Sequence, residues 1–178
     1  MKLYLIRHGH VHNPNEIHYG RLPRFALSKQ GIMQVEKTAD MLKGEKIGVL
    51  YSSPLLRARQ TARILGETLE LPIHYDKRLI EVQFIHEGRP RAEFEQVEQE
   101  IYKDHFIEKG QESIDQIQKR MLGFIEMLKK RHAHETIAAV SHGDPIMIMR
   151  AFFENTPFTT DYKYREYIQP GSLIEINL

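Results

Sequence analysis

Short apolar runs alternating with helical apolar stripes predict an α/β protein: a three-layer sandwich whose mostly parallel central sheet carries helices on both faces. Three observations carry that expectation. The runs Leu3 to Ile6, Ile47 to Tyr51 and Thr136 to Ser141 are too short for buried helices. Stripes with a 3.6-residue period lie between them. The dipeptide His-Gly follows two of the runs, at His8-Gly9 and His142-Gly143. Ligands of open α/β sheets gather at the carboxyl ends of the strands, so two strand-ending histidines can face one crevice.

Each element follows in order. Strand one, Leu3 to Ile6, leads into a loop rich in Gly, His and Asn-Pro that runs through Arg24. Ser28 then caps a helix striped by Ile32, Val35, Ala39 and Leu42, with Leu27 and Ile32 as a hydrophobic staple and Gly44 at its end. Ile47 to Tyr51 is strand two. Ser53-Pro54 reads as a cap plus a proline at the first helical position, opening a helix striped by Leu55, Ala58, Ala62, Leu65 and Leu69, with Arg57 in its first turn. A short extended piece, Pro72 to Tyr75, precedes the least regular part of the chain. That part, about residues 76–110, contains Glu81, a Glu87-Gly88 turn and a charged helix around Ala92 to His105, and is expected to be a small lid or insertion. Ser113 and Gln116 form a capping box for a helix carrying Ile114, Ile117, Met121, Phe124 and Leu128 on one face. Thr136 to Ser141 returns as a buried strand and Asp144-Pro145 opens another helix. Tyr167 to Gln169, Pro170-Gly171 and Leu173 to Leu178 suggest a hairpin on the sheet edge, an edge that could pair with a second chain to give a homodimer.

Composition bounds the function. A chain of 178 residues is expected to be one domain, spanning 1–178, with a full core. A net charge of +1 gives no electrostatic footprint for nucleic acid or an anionic membrane, so neither partner is expected. The absence of cysteine excludes disulfides and thiolate chemistry. With no apolar leader and no long apolar run, a cytoplasmic location is expected.

Three loops that follow strands therefore deliver His8 with Arg7, Arg57, and His142 to one sheet edge. Two guanidiniums and two imidazoles make a receptor for phosphate. A neutral imidazole can attack phosphorus, so His8 is the expected nucleophile. Arg7 and Arg57 offer planar forks for the equatorial oxygens, and His142, if protonated, would stabilise the same charge. The leaving alkoxide needs a proton, and Glu81, heading the irregular segment, is the candidate donor. His10, His12 and His18 lack the spacing of a helical ligand pair and have no cysteine beside them, so neither a metal nor any other cofactor is expected.

With these residues in view, the chain resembles the histidine phosphatase superfamily, also called phosphoglycerate mutase-like, along nearly its whole length. The resemblance rests on Leu5-Ile6-Arg7-His8-Gly9, on the run Ser52 to Ala62 around Arg57, on Arg78-Leu79-Ile80-Glu81 and on Val140-Ser141-His142-Gly143. It implies a metal-free α/β enzyme with His8 phosphorylated, Glu81 as proton donor, and Arg7, Arg57, His142 and Gly143 in the phosphate pocket. It also implies a loop asparagine on the phosphate; Asn13 and Asn15 flank Pro14, and Asn13 is preferred. His10 and Val11 depart from the family pattern, as does Phe84-Ile85-His86-Glu87-Gly88, which is shorter than the usual stretch and lacks its tryptophan. Specificity is therefore expected from the lid and the first loop, with Tyr19, Arg21, Arg24 and His86, and also Arg89, as contacts for a polar or anionic leaving group of a small phosphorylated metabolite. The expected activity is metal-independent hydrolysis of a small phosphate monoester. The alternatives are a phosphoglycerate mutase and a non-catalytic phosphate-ester or phosphoprotein binding module.

Overall fold

The computed structural model describes residues 1–178. Five strands, β1 (Lys2–Arg7), β2 (Ile47–Ser52), β3 (Ile73–Tyr75), β4 (Thr136–Ser141) and β5 (Leu173–Asn177), form one sheet in the order β3-β2-β4-β1-β5. Neighbours pair in parallel except β5, which runs antiparallel to β1. Helices α1 (Lys29–Leu42), α2 (Leu56–Leu69), α3 (Arg91–Val97), α4 (Asp104–Ile107), α5 (Ile114–Arg131), α6 (Gly143–Phe153) and α7 (Thr160–Glu166) complete the chain, with a 3₁₀ turn at Lys77–Leu79.

The alternation of side chains along each strand builds the two outer layers. Leu3, Leu5, Ile137 and Ala139 join a core with α5 and α6, whereas Tyr4, Ile6, Ala138 and Val140 face α1 and α2. The three-layer α/β sandwich read from the sequence is the observed architecture. No helix is long and apolar enough to cross a membrane.

Several local expectations are corrected. The charged segment 92–105 is two short helices rather than one. Glu100 and Lys103 donate to Val97 and Glu100 carbonyls three residues back, as in turns, and Tyr102 is drawn inward to Asp144. The carboxy-terminal hairpin does not form, because Gly171 donates to the Arg7 and His8 carbonyls and the segment before it crosses the end of β1. Helix α7, unanticipated, begins at a Thr159 cap. On α1 the predicted staple fails: Ile32 is 39% exposed, and Gly31 faces inward instead, where a Cβ would collide with the His10 carbonyl. Ser53 does not cap α2, whose N-cap is Leu55 with no side-chain bond.

Candidate active site

Parallel pairing of β1 with β4 places Arg7 opposite Ser141, so the two His-Gly turns lie side by side. The His8 amide donates to the Ser141 carbonyl, and the two imidazole centroids are 5.1 Å apart. Both rings are buried, His142 completely. Next door β2 ends at Ser52, and the turn beyond it delivers Arg57, buried to 1% exposure.

His8 is fixed by chemistry at both nitrogens. Its Nδ1 is 2.8 Å from the Gly9 carbonyl, which can only accept, so the proton sits on Nδ1 and Nε2 keeps its lone pair. Arg57 Nε donates to that lone pair at 3.1 Å, while its Nη2 donates to the Gly20 carbonyl at 2.7 Å. Burial, then Arg57 and Arg7, hold the His8 pKa well below the ordinary histidine value. His142 is lowered in the same way, by burial first and Arg57 next, so it is neutral rather than the cation considered from the sequence. Its Nε2 meets Ser53 Oγ at 2.8 Å.

Two buried nitrogens here have no partner in the protein, Arg7 Nε and His142 Nδ1. Arg7 is otherwise anchored, with Nη1 donating to the Ile168 carbonyl at 2.5 Å and its guanidinium 4.9 Å from the Tyr167 ring centre. Glu81 brings Oε2 to 3.8 Å from His142 Nδ1 and accepts from the Val82 amide through Oε1. Burial, reinforced by the Asp144 charge, raises its pKa above the usual carboxyl value despite the opposing arginines.

His8, Glu81 and His142 offer ligand atoms within 4.8 Å of one another, a spacing a cation could use. The His8 lone pair, however, already accepts from Arg57, and the neighbouring guanidiniums repel a divalent ion while attracting an anion.

Beneath Arg7 lies a buried network that the sequence did not reveal. Tyr102 and Tyr167 each donate to Asp144 at 2.6 Å, and Lys163 Nζ is 3.1 Å from both Asp144 Oδ1 and Glu98 Oε1. Gly143 stands here for a steric reason: a Cβ would collide with the Tyr167 hydroxyl. In the sequence Asp144-Pro145 reads only as a helix start and Ser53 only as a cap; a buried carboxylate flanked by distant tyrosines has no local sequence signal.

The remaining expected residues divide. Asn13 and Tyr19 line the cavity beside Arg7 and Glu81, whereas Asn15 is exposed. Asn13 holds its loop through both amide atoms on Ile17, and Tyr19 lies beneath Arg57, 4.8 Å from its guanidinium. Arg21, Arg24, His86 and Arg89 are corrected, since none of them lines this cavity. Arg21 turns away to the Glu81 carbonyl and to Gln83 and Glu112, Arg24 and Arg89 are exposed, and His86 packs its ring against Phe106.

The chain is similar to known proteins along nearly its whole length. The family model of the histidine phosphatase superfamily (branch 1) matches residues 3–178. Phosphoserine phosphatase 1 of Hydrogenobacter thermophilus is 33% identical over 160 residues, covering 84% of this chain and 74% of that protein. The 2,3-bisphosphoglycerate-dependent phosphoglycerate mutase of Thermoplasma acidophilum is 32% identical over 156 residues, with coverage of 84% and 74%. The solved alpha-ribazole phosphatase of Shigella flexneri superposes with a TM-score of 0.80 at 25% identity, covering all of this chain and 91% of its own.

Proposed function

The chain belongs to the histidine phosphatase superfamily (branch 1) and is a phosphoric monoester hydrolase; on that premise we propose that it hydrolyses a small phosphorylated metabolite through a phosphohistidine on His8, without a metal. The observation that carries this reading is the pair of unpartnered buried nitrogens, Arg7 Nε and His142 Nδ1, flanking a neutral His8. Buried donors without partners are costly, by about 1–3 kcal/mol each, and an incoming phosphate satisfies both.

In the first step the His8 Nε2 lone pair attacks phosphorus and the bond to the ester oxygen breaks. Arg57 passes its Nε hydrogen bond from His8 to a phosphoryl oxygen. Ser53 O–H donates to His142 Nε2, leaving His142 Nδ1–H to face another oxygen, and the second amide hydrogen of Asn13 serves a third. Glu81, whose pKa burial raises, gives its proton to the departing alkoxide. In the second step the Glu81 carboxylate takes a proton from water, whose oxygen attacks phosphorus, and the N–P bond breaks. The 76–110 segment acts as the lid that excludes bulk water.

The test is release of p-nitrophenol from p-nitrophenyl phosphate in excess EDTA, with acid-labile phosphoenzyme quantified beside it. Turnover and labelling are expected, with labelling abolished in His8→Ala. Turnover that requires added divalent ion overturns the metal-free reading, and labelling that persists in His8→Ala overturns the nucleophile. Accumulation of a bisphosphorylated intermediate on phosphoglycerate would instead mark a mutase.

A further inference from the structure

The cavity that Asp144 lines also carries a histidine to which the chemistry above gives no role. His18 lines the same cavity of about 170 Å³ as Arg7, Glu81 and Tyr19. Its Nε2 is buried and makes no hydrogen bond within the protein. The ring cannot turn to find a partner, because it stacks on Phe94 at 3.8 Å between centroids and 9° between planes, with Phe84 edge-on at 4.7 Å. Its backbone is zipped to the lid: the His18 amide donates to the Arg89 carbonyl and its carbonyl accepts from Gly88, both at 2.8 Å. The imidazole is thus a fixed polar point on an aromatic wall, held in place by the segment that covers the site.

Resting on the phosphatase reading, we propose that His18 is a specificity-determining residue whose Nε2 hydrogen-bonds a hydroxyl of the alcohol part of the ester, so that the preferred substrates are hydroxylated phosphomonoesters without a second anionic group. Three observations select that class. Burial lowers the His18 pKa to about 4, so the ring is neutral near pH 7 and offers no charge to a carboxylate or second phosphate. A neutral imidazole nitrogen donates or accepts according to its tautomer, and a hydroxyl can answer either, whereas an ionised acid only accepts. Apart from Arg7, which the reacting phosphate takes, the cations on the cavity wall are already paired, Lys163 with Asp144 and Glu98, and Arg91 Nε with Glu95 at 2.9 Å.

The experiment compares kcat/KM for glycerol phosphate and propyl phosphate, which differ by hydroxyls alone, in wild type, His18→Gln and His18→Phe, with p-nitrophenyl phosphate as the reference substrate. Wild type is expected to favour glycerol phosphate by about tenfold, the worth of one hydrogen bond to an otherwise unpaired buried group. His18→Phe, which keeps the stacking, should lose that preference, and His18→Gln, which restores a polar atom near Nε2, should retain it. No preference in wild type overturns the proposal, a preference kept by the Phe variant overturns it because ring shape would then be all that matters, and a preference lost in both variants overturns it because a polar atom near Nε2 would then not restore it. A readout that needs no His18 substitution is the nitrogen NMR shift of His18 Nε2, taken in the His8→Ala protein so that the ester is not consumed. It should move with glycerol phosphate more than with propyl phosphate, and equal movement overturns the assignment. Wild-type enzyme inactive on all three esters would instead remove the phosphatase reading itself.

Discussion

Arg57 Nε donates a hydrogen bond to His8 Nε2 across 3.1 Å, so the proposed nucleophile is held by the group proposed to receive phosphate oxygen. The two roles exchange through one proton donor, and the donor must be directional. Arg57→Lys keeps the charge but loses the planar fork, and the shorter reach leaves the Gly20 carbonyl without its partner. Both Arg57→Lys and Arg57→Ala are expected to lower kcat for p-nitrophenyl phosphate by roughly 10²–10³-fold, measured by steady-state kinetics. A Lys variant within a few fold of wild type would contradict this.

The pH profile should be bell-shaped. His8 must be neutral to attack, and its depressed pKa sets the acid limb of kcat/KM below pH 6.5. Glu81 must be protonated to donate, and its raised pKa sets the basic limb above 4.5. Removing the Glu81 proton donor by Glu81→Gln should abolish the basic limb for esters with poor leaving groups. In kcat/KM, which reports the first step, it should cost far less with p-nitrophenyl phosphate, whose leaving group needs little protonation, whereas kcat should fall for both kinds of ester because the water step loses its base.

Stability should follow the buried histidines. His8, His18 and His142 all have folded-state values depressed below 6.5, so the unfolded chain binds more protons as pH falls. Their contribution is complete above about pH 6.5 and is lost progressively below it. Glu81, raised above 4.5, acts in the opposite sense: its ionisation opposes folding as pH rises past 4.5. The melting temperature is expected to fall between pH 7 and pH 5, and less steeply in His142→Asn, by calorimetry.

Lys163 and Asp144 form a buried ion pair on which Tyr167, and through it Arg7, depends. Lys163→Met leaves the Asp144 charge without its cation, expected to cost about 3 kcal/mol and to lower Tm by roughly 6–12 °C for a chain of this size. Urea titration checks the first figure and calorimetry the second. The double variant Lys163→Met, Asp144→Asn should recover part of the loss, because the unpaired charge is removed.

Arg21 belongs to the scaffold and not to the substrate. Its Nε donates to the Glu81 carbonyl at 2.7 Å and its Nη2 pairs with Glu112 at 2.9 Å. Arg21→Ala is expected to cost about 1–2 kcal/mol of stability and to lower kcat on every substrate alike. A change in substrate preference would count against this reading.

How much could be read in advance differed by residue. Arg7, His8, Arg57 and His142 each sit at or just beyond the end of a strand with a plain apolar signature, and strand order then brings them together. Tyr102, Lys163 and Tyr167 come from segments with weak periodicity, and only their meeting at Asp144 gives them meaning. Loop position points to Arg21 and Arg24, but it cannot tell which way a long side chain points. In the sequence His18 reads only as a candidate metal ligand, since nothing local shows that Phe94, far along the chain, fixes its ring.

The sequence by itself determined the layers and the edge of the sheet that bears the chemistry, because period-2 and period-3.6 patterns are local and each buries one defined face. Tertiary structure decided the protonation states and the alcohol-facing wall of the cavity. Those depend on burial and on distances between groups remote in sequence, as where one carboxylate is pushed up by burial at Glu81 and another held down at Asp144, chiefly by the Lys163 charge.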